Sequence, residues 1–199
     1  MQDQLLNDAL AGVIASYARR DVIVFHKTRD AFGGLSNMAA GYPLRIGDVR
    51  ARTSEALYQA CRFPHRADVQ ARILAEASPM AAKMVSKPFR GDTRPDWDEV
   101  RVDIMRWCLE VKLAQHIGRF GSLLLSTGGK PIVELSRKDR FWGAVPSKDA
   151  ATLDGSNVLG LLLTDLRERF RAAPHSFRRI DPPAVTGLVL LAKPVATLC

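Results

Sequence analysis

The chain has 199 residues, of which 47% are hydrophobic and 25% charged, and its formal net charge is +8 at pH 7. This length and balance are typical of a globular protein with one well-packed domain. No apolar run approaches the ~20 residues of a transmembrane helix, and the first residues carry acids before arginines, the wrong order for a signal peptide. We therefore expect a cytoplasmic protein with no membrane span.

The positive charge is spread along the chain rather than gathered in one basic run. It gives weak support to an anionic partner such as a phosphorylated ligand or nucleic acid, because many basic proteins merely carry solvated arginines. The three cysteines form no CxxC pair and have no histidine at metal-binding spacing. We expect reduced thiols and no metal site.

In the first half, the pattern predicts short strands followed by helices. We expect a helix over 1–20, a strand over 21–27, a turn-rich loop over 32–41 and a hairpin over 42–53 that turns at Gly47 and Asp48. Further elements are a helix over 54–63 capped by Ser54, helices over 67–77 and 78–85, the latter with Ser78 as cap and Pro79 first, and a basic loop over 87–96.

In the second half, a long helix is predicted from near Asp96 to about His116, then a turn, strand and loop over 127–143, and a leucine-striped helix over 156–170. The segment 175–199 breaks the pattern and is left open between a strand, a docking tail and a disordered tail. The predicted fold class is α+β, predominantly helical, with a small β-sheet.

Lys112 stands on the apolar side of the stretch DIMRWCLEVKLAQH, residues 103–116. At ~100° per residue, Met105, Cys108 and Leu109 share its face. In such surroundings the charged amine loses solvation and its pKa falls, so the neutral amine can attack a sugar aldehyde carbon and form an imine. The alternative, favoured on the residues alone, is a packed stem whose ammonium reaches water. Gln115 projects from nearly the same face, and a polar pair there is harder to explain as packing.

Two further places on helices carry candidate polar groups. Glu55 and Gln59 lie one helical turn apart and are suited to bind ribose hydroxyls or to transfer a proton, although an acid is favoured at any helix start. Arg90 and Arg94 precede the long helix and could hold a phosphate. Trp97 beside them is equally well explained as a core anchor.

Two loops are candidates for ligand contact. In FGGLSN, the glycines allow close backbone approach and Asn37 is a hydrogen-bond donor, which by itself is a weak indication. In SRKDRFWG, Asp139, Phe141 and Trp142 suit a base stacked on an aromatic ring beside a carboxylate. A hydrophobic plug in which Asp139 bonds turn amides is about equally plausible.

Six stretches in order resemble the NADAR family, also called YbiA-like. They are FGGLSN, SEALYQACRF, RPDWDEVRVDIM, VKLAQ, STGGKPIVELSRKDRFWG and SNVLGLLLTDLR. The resemblance covers roughly residues 22–172 and implies a single family domain there, with an N-terminal helical extension over 1–21 and a C-terminal tail over 173–199.

The resemblance implies hydrolysis of an N-glycosidic bond to ribose, with no metal and no cofactor. Family substrates are ADP-ribose on guanine in nucleic acid, whose removal reverses a toxin's modification, and phosphorylated ribosylamino-pyrimidine intermediates of riboflavin synthesis. We expect the first, with a possible toxin–antitoxin association. A non-catalytic module that binds ADP-ribose or nucleic acid is a third hypothesis, and a purely structural partner protein a weaker fourth.

The resemblance also assigns roles to individual residues. Lys112 aligns with the family's imine-forming lysine, so the catalytic hypothesis is now favoured over the packed stem. Glu55 and Asp139 are the implied carboxylates, and a variant without the covalent step would use them as an acid–base pair. The implied substrate-binding residues are Phe32, Gly33, Asn37, Gln59, Arg94, Trp97, Gln115 and Trp142. Arg62 and Leu113 depart from the family's usual lysine and aromatic residue. The first departure keeps the positive charge, and the second alters the shape of the pocket.

Overall fold

The structure is a computed structural model that describes residues 2–199. The chain forms two compact units, Met1–Ser36 with Gly118–Pro174, and Asn37–Ile117 with His175–Cys199. Both units join short strands to longer helices, so the predicted α+β, mostly helical class is confirmed. None of the helices that the structure describes combines the length and apolarity that crossing a bilayer requires.

The first unit is built from small sheets covered by a helix. Its elements are α1 (Gln2–Leu10), β1 (Ala15–Ala18), β2 (Ile23–Phe25), α6 (Ser122–Leu125), β5 (Ile132–Glu134), β6 (Val145–Pro146), β7 (Thr152–Gly155) and α7 (Val158–Ala172). Antiparallel strands lie in the order β1–β7–β6, and β2 pairs with β5 in parallel. Val133, Ala144 and Leu153 form the buried core of these sheets.

Helix α7 lies directly on the backbone of β5. A Cβ atom on Gly160 would stand 2.1 Å from the Ile132 carbonyl oxygen, so only glycine permits this approach. The fully buried Asn157 supplies both halves of a link to the strand, since its Nδ2 donates to Ile132 O and its Oδ1 accepts from the Glu134 amide. The strand that leads into the 135–143 loop is thereby fixed to the helix.

The second unit surrounds the wholly buried helix α2. Its elements are β3 (Leu44–Ile46), β4 (Val49–Ala51), α2 (Ser54–Ala60), α3 (Ala67–Ala75), α4 (Pro79–Ser86), α5 (Trp97–Gln115), β8 (Val189–Leu190) and β9 (Lys193–Pro194). Helix α2 packs against α3, α4 and α5, and all of its side chains are buried. Residues 175–199 form the β8–β9 hairpin and a bridge between Ile180 and Leu198.

The C-terminal segment is attached to α3 through the side chain of Gln70, which is 0% exposed. Its Nε2 donates to Val189 O at 2.8 Å, and its Oε1 accepts from the Leu191 amide at 2.6 Å. Phe177 and Leu190 are buried in the same segment. The sequence left open whether residues 175–199 form a strand, a docking tail or a disordered tail. In the structure they form short strands.

Several local predictions are confirmed. The hairpin turns at Gly47 and Asp48, and Gly47 has φ +56°. Pro79 begins α4, with Ser78 as the cap whose hydroxyl accepts from the Ala81 amide. The strands near 23–25 and 132–134 and the long helices of both halves lie where they were expected.

Three predictions are wrong. The helix over 1–20 ends at Leu10, because Gly12 adopts φ +83° and residues 15–18 instead pair with β7; residue 1 lies outside the described residues. The cap of α2 is Thr53, whose extended backbone lets its hydroxyl accept from the Ala56 amide at 3.2 Å, so Ser54 is the first helical residue. The basic loop over 87–96 contains a 3₁₀ helix at Lys87–Asp92.

Candidate active site

Lys112 is buried in the last turn of α5, with 1% of its surface exposed. The other residues of its predicted face, Met105, Cys108 and Leu109, are also buried. Its Nζ lies 4.5 Å from the centroid of the Tyr42 ring. Tyr42 is itself buried and meets His116 edge-on. The amine is therefore enclosed by the protein and does not extend into water.

Burial lowers the pKa of Lys112 from 10.5 to about 7, because the apolar surroundings withhold the solvation that an ammonium needs. The face of the Tyr42 ring acts in the opposite direction, since its negative quadrupole attracts the protonated form. Near neutral pH, a substantial fraction of the amine is uncharged. An uncharged primary amine has the free electron pair that attack on a sugar carbon requires.

Glu55 lies in the first turn of α2 and is 7% exposed. Burial raises the pKa of its carboxyl, while the charges of Lys83 and Arg62 and the Gln59 hydrogen bond act to lower it. The side-chain amide of Gln59 lies 3.0 Å from Glu55 Oε1, and its other end lies 3.0 Å from the Ser86 hydroxyl. A buried carboxyl in this setting is suited to hold a proton that it can later donate.

Asn37 stands beside Glu55, since its backbone carbonyl accepts from the Glu55 amide at 3.1 Å. Its Nδ2 contacts the Met105 sulfur at 2.7 Å. Among residues 2–199, neither its Oδ1 nor the neighbouring Ser54 Oγ has a hydrogen-bond partner, although both atoms are buried. Because buried polar atoms in proteins are nearly always paired, these two atoms are candidates to bond a polar group of a ligand.

Trp97 lies in the core of the second unit at 7% exposure. Its ring packs on Tyr58, with the centroids 5.0 Å apart, and the Arg62 guanidinium carbon lies 5.0 Å from its centroid. The core-anchor hypothesis describes this placement better than a substrate contact does. Arg62, which packs on this ring, also brings a positive charge near Glu55 and Arg90.

Arg94 is 5% exposed and holds the chain together at the start of α5. It donates to both carboxylate oxygens of Asp96, at 2.6 and 2.9 Å, and to the Thr186 carbonyl at 2.7 Å. The same bonds lower the pKa of Asp96, whose carboxylate therefore makes no hydrogen bond as the helix cap. One Arg94 nitrogen, Nη1, is buried with no partner in the described part of the chain.

Gln115 is turned toward the β3–β4 hairpin. Its Nε2 donates to Arg45 O at 2.6 Å and its Oε1 accepts from the Arg45 amide at 2.8 Å. The residue borders an open cavity of about 520 Å³ that the hairpin shares with the C-terminal segment. Both ends of the Gln115 side-chain amide are therefore hydrogen-bonded to the backbone of Arg45 in β3.

In the first unit, Gly33 and Phe32 belong to a tightly folded loop. A Cβ on Gly33 would lie 2.4 Å from the carbonyl oxygens of Lys27 and Thr28. The Gly33 amide also donates to Asp30 O at 2.8 Å. Phe32 is half-buried at the start of the 3₁₀ helix Gly33–Leu35. The glycine is required here by backbone packing, whatever it does for a ligand.

Asp139 organises the aromatic loop of the first unit. Its Oδ1 accepts from the amides of Phe141 and Trp142, each at 2.9 Å, and the residue is exposed. The two aromatic rings meet edge to face at 5.1 Å and are half-buried. The backbone carbonyls of Phe141 and Trp142 accept from the first amides of α7, which fixes the loop at the helix N-terminus.

Two residues near the predicted groups were missed by sequence reasoning. Tyr42 faces Lys112 from 70 positions away, and Ser86 reaches Gln59 from α4. Tyr42 follows a glycine and precedes a proline, which indicates only a turn, and Ser86 resembles any polar residue at the end of a helix. No local pattern separates them from structural residues.

The chain is similar to known proteins in both sequence and fold. The NADAR domain profile matches residues 24–171. "N-glycosidase YbiA" of Escherichia coli is 33% identical over 148 residues, which are 74% of this chain and 88% of that protein. The NMR structure of E. coli YbiA superposes with a TM-score of 0.64 at 29% identity, covering 79% of this chain and 92% of the other.

A maize protein, "Riboflavin biosynthesis protein PYRR, chloroplastic", is 31% identical over 161 residues, 74% of this chain and 25% of that longer protein. The expected class of enzyme, a hydrolase acting on N-glycosyl compounds, is confirmed by the names that the bacterial relatives carry. The profile covers the stretch in which the six motifs lie. The chain therefore belongs to the NADAR family.

Proposed function

We propose that this chain is an N-glycosidase that removes ADP-ribose from guanine bases through a lysine imine, and so reverses ADP-ribosylation of nucleic acid. The observation that carries the proposal is the buried amine of Lys112, whose pKa is lowered to about 7. An amine that is enclosed yet partly neutral is suited to nucleophilic catalysis and ill suited to a surface ion pair. The relatives named N-glycosidases supply the class of bond.

The reaction begins when the neutral Nζ of Lys112 bonds to C1 of the ribose. The C1–N bond to the base breaks, the base leaves with that electron pair, and it takes a proton from the carboxyl of Glu55. The bond from C1 to the ring oxygen then breaks, the ring oxygen takes one proton from Nζ, and a protonated imine between C1 and Nζ forms. Water then adds to C1, the C1–Nζ bond breaks, and ADP-ribose and the free lysine are released.

The other site residues have supporting roles in this proposal. Asn37 hydrogen-bonds the sugar or base, Gln59 acts on the substrate through Glu55, and Gln115 acts through the hairpin that its amide holds. Gly33 permits close approach, and Phe32 and Trp142 stack on or wall the nucleotide. Arg94 and Trp97 support the phosphate end, and Asp139 is the second carboxylate. The domain over 22–172, a cytoplasmic location and an association with a toxin that attaches ADP-ribose belong to the same proposal.

The second candidate function is hydrolysis of phosphorylated ribosylamino-pyrimidine intermediates. It is favoured by relatives named as riboflavin biosynthesis proteins in maize and in Vibrio vulnificus. The chemistry at C1 is the same, so Lys112 and Glu55 keep their roles. The two candidates differ only in the base that leaves and in the group that extends from the ribose.

The test is to trap the intermediate with borohydride. Wild-type protein is incubated with ADP-ribosylated guanosine, or separately with a ribosylamino-pyrimidine phosphate, then reduced and weighed by mass spectrometry. A sugar adduct on Lys112 in the wild type, and none in Lys112→Ala, is the expected result. The substrate that gives the faster adduct identifies the base.

Three outcomes would overturn the proposal. Full activity in Lys112→Ala, together with loss in Glu55→Gln, would favour direct attack of water, with Glu55 and Asp139 as the acid and base. Tight binding of ADP-ribosylated guanosine with no released guanosine in the wild type would favour a binding module. Equal labelling of wild type and Lys112→Ala would remove the covalent role of Lys112.

A further inference from the structure

Three polar side chains form a line from Glu55 to the end of α4. Gln59 lies 3.0 Å from Glu55 Oε1 and 3.0 Å from Ser86 Oγ, and Ser86 Oγ lies 2.8 Å from the Lys83 carbonyl oxygen. Glu55, Gln59 and Ser86 are exposed by 7%, 4% and 4%, so water scarcely competes for these bonds. The direction of each bond therefore depends on where the protons are.

The number of protons restricts this line to two arrangements. A serine hydroxyl has one proton, and Ser86 has two acceptors within reach, Gln59 Oε1 and Lys83 O. An amide can turn end for end, and its two ends are distinguished only by their partners. In the first arrangement, which is the one in the structure, Ser86 donates to Gln59 Oε1 and the Gln59 Nε2 donates to Glu55, which favours the carboxylate. If Ser86 donates to Lys83 O, the Gln59 NH₂ group donates to Ser86, and its oxygen faces Glu55.

In the second arrangement Glu55 must be protonated. With the amide turned end for end, its oxygen would face a Glu55 oxygen, and two such oxygens attract only if a proton lies between them, which Gln59 Oε1 does not have. Every group then has a partner, because Glu55 donates to Gln59, Gln59 to Ser86, and Ser86 to Lys83 O. The Lys87 amide bonds Met84 O at this helix end, so the Ser86 hydroxyl supplies a donor to the Lys83 carbonyl.

We propose that Ser86 is a positioning residue which, through the Gln59 amide, holds the proton on Glu55 before reaction and lets the amide turn to bond the carboxylate afterwards. The inference rests on the proposed function of Glu55 as the acid. When the leaving base has taken the proton, rotation of one amide and one hydroxyl converts the first set of bonds into the second. The same carboxyl is thus supported both as an acid and as a carboxylate that can assist water.

The other groups around Glu55 do not fix its protonation state by themselves. Lys83 on α4 and Arg62 after α2 favour the carboxylate, while the pKa of Glu55 is raised by burial. Tyr58 on α2 and Cys108 on α5 also interact with Glu55, and each has a pKa raised chiefly by its own burial. Burial outweighs the charged neighbours, and the direction of the hydrogen bond from Gln59 either adds to this effect or opposes it.

The experiment is a titration of the Glu55 carboxyl by NMR, with ¹³C-labelled glutamate and Glu55→Gln to assign the resonance. Ser86→Ala removes two bonds from the protonated arrangement and one from the ionised arrangement. The titration midpoint is therefore expected to fall by about half to one pH unit. Ser86→Thr keeps a hydroxyl and should restore the wild-type midpoint.

Two controls separate this role from a structural one. Ser126 donates to Leu123 O at 2.7 Å, the same bond from a helix end to the carbonyl three residues back, so Ser126→Ala should leave the Glu55 titration unchanged. In a Gln59→Met background, Ser86→Ala should no longer move the midpoint, because the amide that transmits the effect is absent. The alkaline limb of the rate profile should move with the NMR midpoint while the maximal rate is kept.

An unchanged or raised midpoint in Ser86→Ala would overturn the inference, and so would an equal effect in the Gln59→Met background. The outcome is independent of the proposed function. If Glu55→Gln is fully active, the acid role of Glu55 fails, while the NMR midpoint still decides whether Ser86 controls its proton. If Ser86→Ala melts well below the wild type, Ser86→Cys, with its weaker donor, takes its place and should give a smaller fall.

Discussion

The Nζ of Lys112 lies 4.5 Å from the centroid of the Tyr42 ring, and both side chains are buried. The apolar surroundings favour the neutral amine, while the ring face favours the ammonium. Because these two effects oppose each other, the neutral and the protonated forms of Lys112 are both populated near pH 7. A nucleophile that must first be neutral and later be regenerated benefits from such a balance.

The rate should depend on pH through this amine. Because only neutral Lys112 attacks, the acid limb of kcat/KM is expected to rise with pH through about 7, and the rate is expected to fall again at the higher pH where Glu55 has lost the proton that the leaving base needs. The measurement is a steady-state pH profile with ADP-ribosylated guanosine, paired with an NMR titration of ¹³C-labelled lysine. A rising limb near pH 10, where an ordinary lysine titrates, would contradict the role of burial.

The Tyr42 ring should shift that limb. Tyr42→Leu removes the attraction for the ammonium, so the amine loses its proton more easily and the rising limb moves down by about half to one pH unit. Tyr42→Phe keeps the ring and should retain the wild-type midpoint. If both variants move the limb equally, the hydroxyl of Tyr42 matters and the ring face does not.

Lys112 should also make stability depend on pH. Its pKa is 10.5 when unfolded and about 7 when folded, so between these values the unfolded chain binds more protons and stability rises with pH. Lys112→Met removes this dependence. We expect the variant to be more stable than wild type by up to about 4 kcal/mol below pH 7, and this advantage to shrink as pH rises toward 10. Urea unfolding at several pH values measures the difference, and a constant difference would refute it.

Gly33→Ala should destabilise the first unit. The added Cβ would lie 2.4 Å from backbone oxygens of Lys27 and Thr28, which cannot move aside cheaply. We expect a loss of at least about 2 kcal/mol, seen as a melting temperature lower by about 4 °C or more. Gly129→Ala is the matched control, because its Cβ meets nothing within 4 Å. Equal melting of the two variants would show that the loop rearranges.

Arg94→Gln should weaken the attachment of the C-terminal segment. The variant loses the charged bonds to Asp96 and the bond to Thr186 O, at a cost of about 1–3 kcal/mol. Limited proteolysis within residues 175–199 should become faster. The exposed Arg90 is the control position, and Arg90→Gln should leave proteolysis unchanged. A raised KM for the phosphorylated substrate with unchanged proteolysis would instead favour phosphate binding by Arg94.

The sequence allowed a correct prediction wherever one helix or one turn carried the information. The 3.6-residue period placed Lys112 on the buried face of α5, and Gly47–Asp48 marked the hairpin turn. The same period suggested a helix through residues 15–18, where pairing with a distant strand prevailed. Thr53 and Ser54 are both good caps, and only the backbone angle of Thr53 decided between them.

The surroundings of the site could not be predicted in this way. Tyr42 meets Lys112, and Ser86 meets Gln59, across turns and helices whose packing no local pattern specifies. The sequence left a ligand-binding and a structural hypothesis open for both Asp139 and Trp97. In the structure, Asp139 accepts hydrogen bonds from the turn amides and Trp97 is packed in the core. Residue type indicated the chemistry, while tertiary packing determined the partners.

The 175–199 segment has a practical consequence. A shortened chain that stopped at Ala172, near the end of the NADAR match, would uncover the apolar residues beneath the β8–β9 hairpin and leave both ends of the Gln70 amide without Val189 and Leu191. Exposed apolar surface of this kind promotes aggregation. Recombinant work on the family domain alone should therefore retain the final 25 residues, 175–199.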